Sequence, residues 1–263
     1  MADGGKVSQQ TAGYVLLAAP VLFWGGSYRA VALAAPHATA LTLNAVRAVV
    51  AAALLVVLLP FLRARLPGGR LLLWAAGTGV LGVVVFLQGF SEGVIRAGSG
   101  NAAVLSNTSP FFVLLLARVF LRERMRPLGM LGLAVGFGGV VTMVSSQLGG
   151  AHGGGFALGL LLALAAGAGW GIATLSVKVL AERDPGLDVI GLTAAQYVVG
   201  GLILAVLALA IDGTGGASWG SGELWACIAF LAAGASAVAV VAFFAALKRL
   251  PATVSASAQF LVP

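Results

Sequence analysis

The chain has 263 residues, of which 60% are hydrophobic and 9% charged, against about 25% charged in a soluble domain. With a mean hydropathy of +1.05, this excludes a soluble enzyme, a disordered chain and an ordinary nucleic-acid binder. The net charge of +7 is spread too thinly for a basic patch; Lys- and Arg-bearing cytoplasmic loops of a membrane protein give the same balance.

A membrane-spanning helix needs about 20 apolar residues. Eight runs qualify: 12–34, 39–62, 71–91, 100–121, 127–146, 156–181, 189–211 and 224–247. A ninth, incomplete run covers 252–263. The runs are rich in Ala and Leu and lack the alternation of a barrel wall, so the expected class is all-α, a polytopic helical bundle. A cytoplasmic tail, 1–11, precedes the first run. That run is too long for the core of a signal peptide and is expected to be retained. Turn formers mark the connections, such as Pro67-Gly68-Gly69 and Asp184-Pro185-Gly186. Cys227 is alone, which excludes an intrachain disulfide.

The Lys and Arg residues orient the bundle. With the N-terminus inside, the inner segments hold Lys6, Arg63, Arg65, Arg70, Arg122, Arg124, Arg126, Lys178, Arg183, Lys248 and Arg249. The outer segments hold Arg96 alone. This is a strong positive-inside signal.

The two halves echo each other in order. Phe23-Trp24-Gly25-Gly26 matches Gly169-Trp170-Gly171, and Leu43 to Val50 matches Leu192 to Val199. Trp74 matches Trp225, Arg96 matches Arg249, and Pro110 matches Pro263. The repeats are expected at 12–146 and 156–263, joined by an outer Gly-rich linker at 147–155. Five spans is an odd number, so the second copy must run upside down. Charge agrees: the loop with Arg63, Arg65 and Arg70 is cationic, whereas its counterpart holds Asp212 and Glu223 and no Lys or Arg. Inverted repeats build many secondary transporters, with substrate bound near the midplane between the copies.

Trp24-Gly25-Gly26-Ser27, Arg47, the run from Asn101 to Pro110, Leu121-Arg122-Glu123-Arg124 and a Gly-rich fifth span together resemble the EamA-type family of the drug/metabolite transporter superfamily. The resemblance covers essentially the whole chain. It implies ten spans in two inverted five-helix repeats and export of small metabolites such as amino acids. This sequence departs from that pattern, because its second repeat is truncated and about nine of ten spans are present. The expectation is that the 263-residue chain transports poorly or not at all.

Polar residues within spans supply the candidate site. Ser106-Asn107-Thr108-Ser109-Pro110 lies near mid-depth, where Pro110 removes a backbone donor. The matched segment, Ser255 to Gln259, is also polar. Ligand binding and interhelical hydrogen bonding both account for such runs. Candidate cavity residues are Trp24, Tyr28, Gln88, Asn101, Ser106, Asn107, Trp170, Gln196, Tyr197 and Gln259. Arg29, Arg47, Glu92 and Arg96 fall in the outer portions of their spans and form a candidate charged cluster; snorkelling to the interface is the alternative.

Gly77-Thr78-Gly79-Val80-Leu81-Gly82 matches a dinucleotide fingerprint, but no strand precedes it, so it reads as close helix packing. No cofactor, metal or catalytic group is expected, and the expected partners are a small-molecule substrate and the lipid bilayer, not nucleic acid. The function expected is a secondary transporter of the cell membrane, exporting a small metabolite by alternating access. The alternatives are a membrane-embedded enzyme, for which Glu182, Asp184 and Asp188 in one inner loop are on offer although they read better as a solvated turn, and a structural or regulatory subunit.

Overall fold

A computed structural model describes residues 10–120, 127–148 and 154–262. Lys6 and most of the N-terminal tail, Arg122, Arg124 and Arg126, most of the Gly-rich linker, and Pro263 lie outside the described residues. The described residues are helical without a named strand. Among the described residues, seven helices are long and apolar enough to cross a membrane: α1 Gln10–Ala34, α2 Ala40–Phe61, α3 Arg70–Ala97, α4 Ser99–Phe120, α6 Gly154–Arg183, α7 Val189–Ile211 and α8 Gly222–Arg249. Between them, α5 Pro127–Leu148 adds 22 helical residues. After Pro251, α9 covers Ala252–Ser257 and tightens into a 3-10 turn over Ala258–Leu261.

Local chemistry sets these boundaries. The Thr39 hydroxyl caps α2 by accepting from the Thr42 N–H at 3.1 Å. The Asp188 carboxylate caps α7 through the Ile190 and Gly191 N–H groups, and Ser221 caps α8. Gly98, at φ 84°, makes the sharp turn from α3 to α4. Helix α3 runs six residues past its expected end, carried by the Glu92–Arg96 pair one turn apart. Asp184 and Asp188 serve the turn before α7, and Lys178 with Lys248 donates to carbonyls at the ends of α8 and of that turn.

The packing has a two-fold pattern. Helix α2 packs on α7 and α4 on α9; α1 packs on α8 as α6 packs on α3. Helix α8 packs on α2 as α3 packs on α7. Replacing each helix by the one five places away reproduces the set. Both third helices of the five-helix units also carry a π-helical stretch, Val80–Val85 in α3 and Phe230–Val238 in α8. Such wide turns mark functional regions in many helical proteins.

Glycines permit the closest approaches. A Cβ at Gly89 would collide with the Leu162 carbonyl, and one at Gly93 would lie 2.7 Å from Ala163 Cβ, so α3 meets α6 at close range. The dinucleotide-like run has the same use: Gly79 abuts the Gln196 backbone.

Candidate functional site

Helix α4 is broken in the middle. It is regular over Ser99–Ser106 and again over Ser109–Phe120, with a turn at Asn107 and Thr108. Pro110 cannot donate to the Ser106 carbonyl, which removes one rung of the ladder. Side chains take over locally: Thr108 Oγ1 donates to the Leu105 carbonyl at 2.6 Å and Ser106 Oγ to that of Ala102 at 2.6 Å. The break seats on α6, where a Cβ at Gly167 would meet Thr108 Oγ1 at 2.6 Å and the Leu105 carbonyl at 2.8 Å. Only glycine lets this polar turn lie so deep among apolar helices.

Around the break is a small cavity of about 30 Å³, lined by Trp24, Ser27, Tyr28, Arg47, Phe86, Phe90, Ser106, Asn107, Trp170 and Gln259. Six of the ten cavity residues expected from the sequence meet here: Trp24, Tyr28, Ser106, Asn107, Trp170 and Gln259. The matched tryptophans touch each other edge to face, with ring centroids 5.4 Å apart. Trp24 Nε1 donates to the Ala235 carbonyl in the π-helical stretch of α8 at 3.0 Å. The Ser106 hydroxyl spends its proton on Ala102, so at 3.0 Å from it the Tyr28 hydroxyl is the donor. Ser109 Oγ donates to Gln259 Oε1, which ties α4 to α9.

The remaining four candidates lie elsewhere. Gln88 lines a separate vestibule. Asn101, at the start of α4, turns back on the end of α3, donating to the Ala97 carbonyl. Gln196 is buried between α7 and α3, where Nε2 donates to Thr78 Oγ1 at 2.8 Å. Tyr197 is buried beside Arg47 and Ser236 and does not line this cavity.

The four charged residues do not form one cluster. Arg47 is buried at the central cavity, with Nε donating to Ser236 Oγ at 2.8 Å. Arg29 is on the exposed face of α1. Glu92 and Arg96 pair with each other and line the vestibule, a cavity of about 640 Å³ at the end of the bundle where α1 joins α2 and α7 joins α8. The reason is rotational phase: depth along a span is readable from sequence, whereas the face that a residue presents depends on its neighbours.

Three parts of the site carry no clear mark in the sequence. Ser236 holds Arg47 from an Ala-rich stretch with no polar pattern. Asn44 is fully buried; its Nδ2 donates to the Leu87 carbonyl and to Gln88 Oε1, and its Oδ1 accepts from Ser91. At the vestibule, Asp212 accepts from the Thr39 and Thr42 hydroxyls. Here the α1–α2 connection is zipped to the α7–α8 connection by Thr39 N–H to Gly216 O and Ser218 N–H to His37 O. The signal for Ser236 lay in the repeat. Arg47 aligns with Gln196, and each bonds a hydroxyl on the third helix of the opposite unit, Arg47 to Ser236 and Gln196 to Thr78.

Comparison with known proteins bears on this arrangement. The model of the EamA-like transporter family matches residues 11–145 and 157–263, almost the whole chain and in two stretches. The chain belongs to that family. It is 28% identical over 135 residues to an uncharacterized transporter of Archaeoglobus fulgidus, covering 49% of this chain and 46% of that one. It is 24% identical over 187 residues to the uncharacterized transporter YoaV of Bacillus subtilis, covering 71% and 60%. The match to the uncharacterized transporter sll0355 of Synechocystis is 27% over 218 residues, covering 74% and 61%. The chain thus spans about half to three-fifths of the length of these relatives. A solved crystal structure superposes with a TM-score of 0.65 over 97% of this chain and 86% of its own, at 19% identity, a likeness of fold.

Proposed function

We propose that this EamA-family protein is a secondary carrier that exports a small polar or amphipathic metabolite by alternating access. The moving parts are the two repeats, 12–146 and 156–263, and the N-terminus is cytoplasmic. The observation that carries this reading is the placement of the central cavity. Residues of both repeats line it, the matched pair Trp24 and Trp170 meet at it, and the broken helix α4 faces Gln259 across it. A site shared by two like units is one that can open alternately to either side as they rock.

Each end also has its own tie. At one end the α1–α2 and α7–α8 connections are zipped together. At the other, the Asp188 carboxylate accepts from the Arg65 N–H at 2.8 Å, joining the α6–α7 and α2–α3 connections. These are matched connections of the two repeats. A tie at each end suits a machine that releases one while holding the other. The nearly closed cavity corresponds to an occluded state.

Trans-stimulation in proteoliposomes tests the reading. Unlabelled metabolite inside the vesicle should accelerate entry of the labelled compound. This is a ratio, so it reads the mechanism at whatever rate the 263-residue chain sustains. A panel of small metabolites with no substrate-dependent exchange would remove the carrier reading. Orientation is tested on a Cys227-free background: an impermeant thiol reagent applied outside intact cells should label cysteines introduced at 149–155 and spare one at Gly69.

A further inference from the structure

We infer that the central cavity is an anion site, built to take the carboxylate of an organic anion between Arg47 and Gln259. The inference deepens the carrier reading by naming its substrate class, and it rests on that reading for the ligand's role. It stands on which hydrogen-bonding groups are left free.

Two side-chain atoms that line this cavity are buried and without a partner: Arg47 Nη1 and Gln259 Nε2. Their residues are 2% and 4% exposed. Both atoms are donors. Several of the other polar groups of the cavity are committed. Ser106 gives its proton to Ala102 and accepts from Tyr28. Ser27 donates to the Phe23 carbonyl. Gln259 Oε1 accepts from Ser109, which leaves its Nε2 as the amide group without a partner.

Charge points the same way. Arginine stays protonated in proteins. Arg47 has Ser236 as a neutral partner, and no Asp or Glu lines the cavity among the described residues. A buried cation without a counter-charge is strongly unfavourable. A carboxylate supplies the missing charge and two acceptor oxygens, matching the fork of a guanidinium. A cation would meet Arg47, and a neutral group would leave its charge unbalanced. The volume of about 30 Å³ admits a head group of this size and little more. Trp24, Phe86, Phe90 and Trp170 offer an apolar body a place to lie as the cavity widens.

The test compares phenylacetate with phenylacetamide, which share shape and differ in charge. Both are titrated into the purified chain in detergent, followed by tryptophan fluorescence and by melting temperature. Trp24 and Trp170 line the cavity, whereas Trp74, Trp219 and Trp225 are exposed and serve as background. Phenylacetate should bind at least about tenfold more tightly than the amide, as loss of a charge-assisted hydrogen bond implies. Arg47→Gln should bring the two within about twofold. Gln259→Glu places a carboxylate beside Arg47; it should melt above the wild type without ligand and lose the response to phenylacetate.

Equal affinity for the two compounds in the wild type would overturn the inference. So would a preference that survives Arg47→Gln. If Arg47→Gln does not fold, a Gln259→Glu protein that still prefers phenylacetate as the wild type does overturns it equally. Binding of neither compound up to tens of millimolar also rejects the site. The carrier reading is decided separately by trans-stimulation: exchange of neutral compounds with no anion preference keeps the carrier and removes the anion site, while anion binding without exchange does the reverse.

Discussion

Helix α3 serves two cavities, and they treat charge in opposite ways. Phe86 and Phe90 line the central cavity, while Gln88, Glu92 and Arg96 of the same helix line the vestibule. In the vestibule each of these charges has a partner. Glu92 accepts from Gln88 and Arg96, His37 meets Glu223 at 3.2 Å, and Asp212 takes two threonine hydroxyls. In the central cavity Arg47 has one serine and no carboxylate. Access to water separates the two cavities. At an open surface solvation makes pairing nearly neutral in energy, whereas in a dry core an unpaired charge must be balanced by a neighbour or a ligand. The region with the fewest partners is therefore the one poised to bind.

Four substitutions sharpen or break this contrast, each read by unfolding in detergent. Trp170→Ala removes a buried ring that packs against Trp24, Phe86, Phe243 and Phe244 and should cost about 3–5 kcal/mol. Ser236→Ala strips Arg47 of its remaining hydrogen bond and should cost about 1–3 kcal/mol. At the vestibule, Asp212→Ala frees two hydroxyls that water can reach in part, for about 1 kcal/mol. Arg96→Ala should cost less than about 1 kcal/mol, and less still at high salt, because its pair with Glu92 is half exposed. If Arg96→Ala proved as costly as Ser236→Ala, the distinction between the two cavities would fail.

Much of the fold was legible because lipid imposes it. Long apolar runs, turn formers between them and the order of echoes give helices and repeats without knowledge of packing. The polar run of α4 was legible too, since Pro110 and four consecutive small polar residues break the apolar pattern at one depth. Rotational phase was not. Gln196 lies mid-span yet faces Thr78, and Asn101 at the start of α4 bonds the end of α3. Arg47 reads as an interfacial snorkel from its distance to the helix end, and only packing against α8 turns it inward to Ser236. Asn44 carries no flag at all in sequence, because a single amide in an apolar run shows neither its neighbours nor its burial.

The central claim is that substrate binds at the cavity shared by the repeats. Exchange kinetics of Asn107→Ala and Gln259→Ala, set against Gln196→Ala at matched reconstitution, test it most directly. Asn107 and Gln259 line the cavity, whereas Gln196 is a buried amide bonded elsewhere. Loss of one hydrogen bond of roughly 0.5–1.5 kcal/mol should weaken apparent affinity about 2- to 13-fold in the first two proteins and leave the third within about twofold of wild type. Wild-type affinity in both Asn107→Ala and Gln259→Ala would contradict the account and move the site to Gln88 and Glu92 in the vestibule.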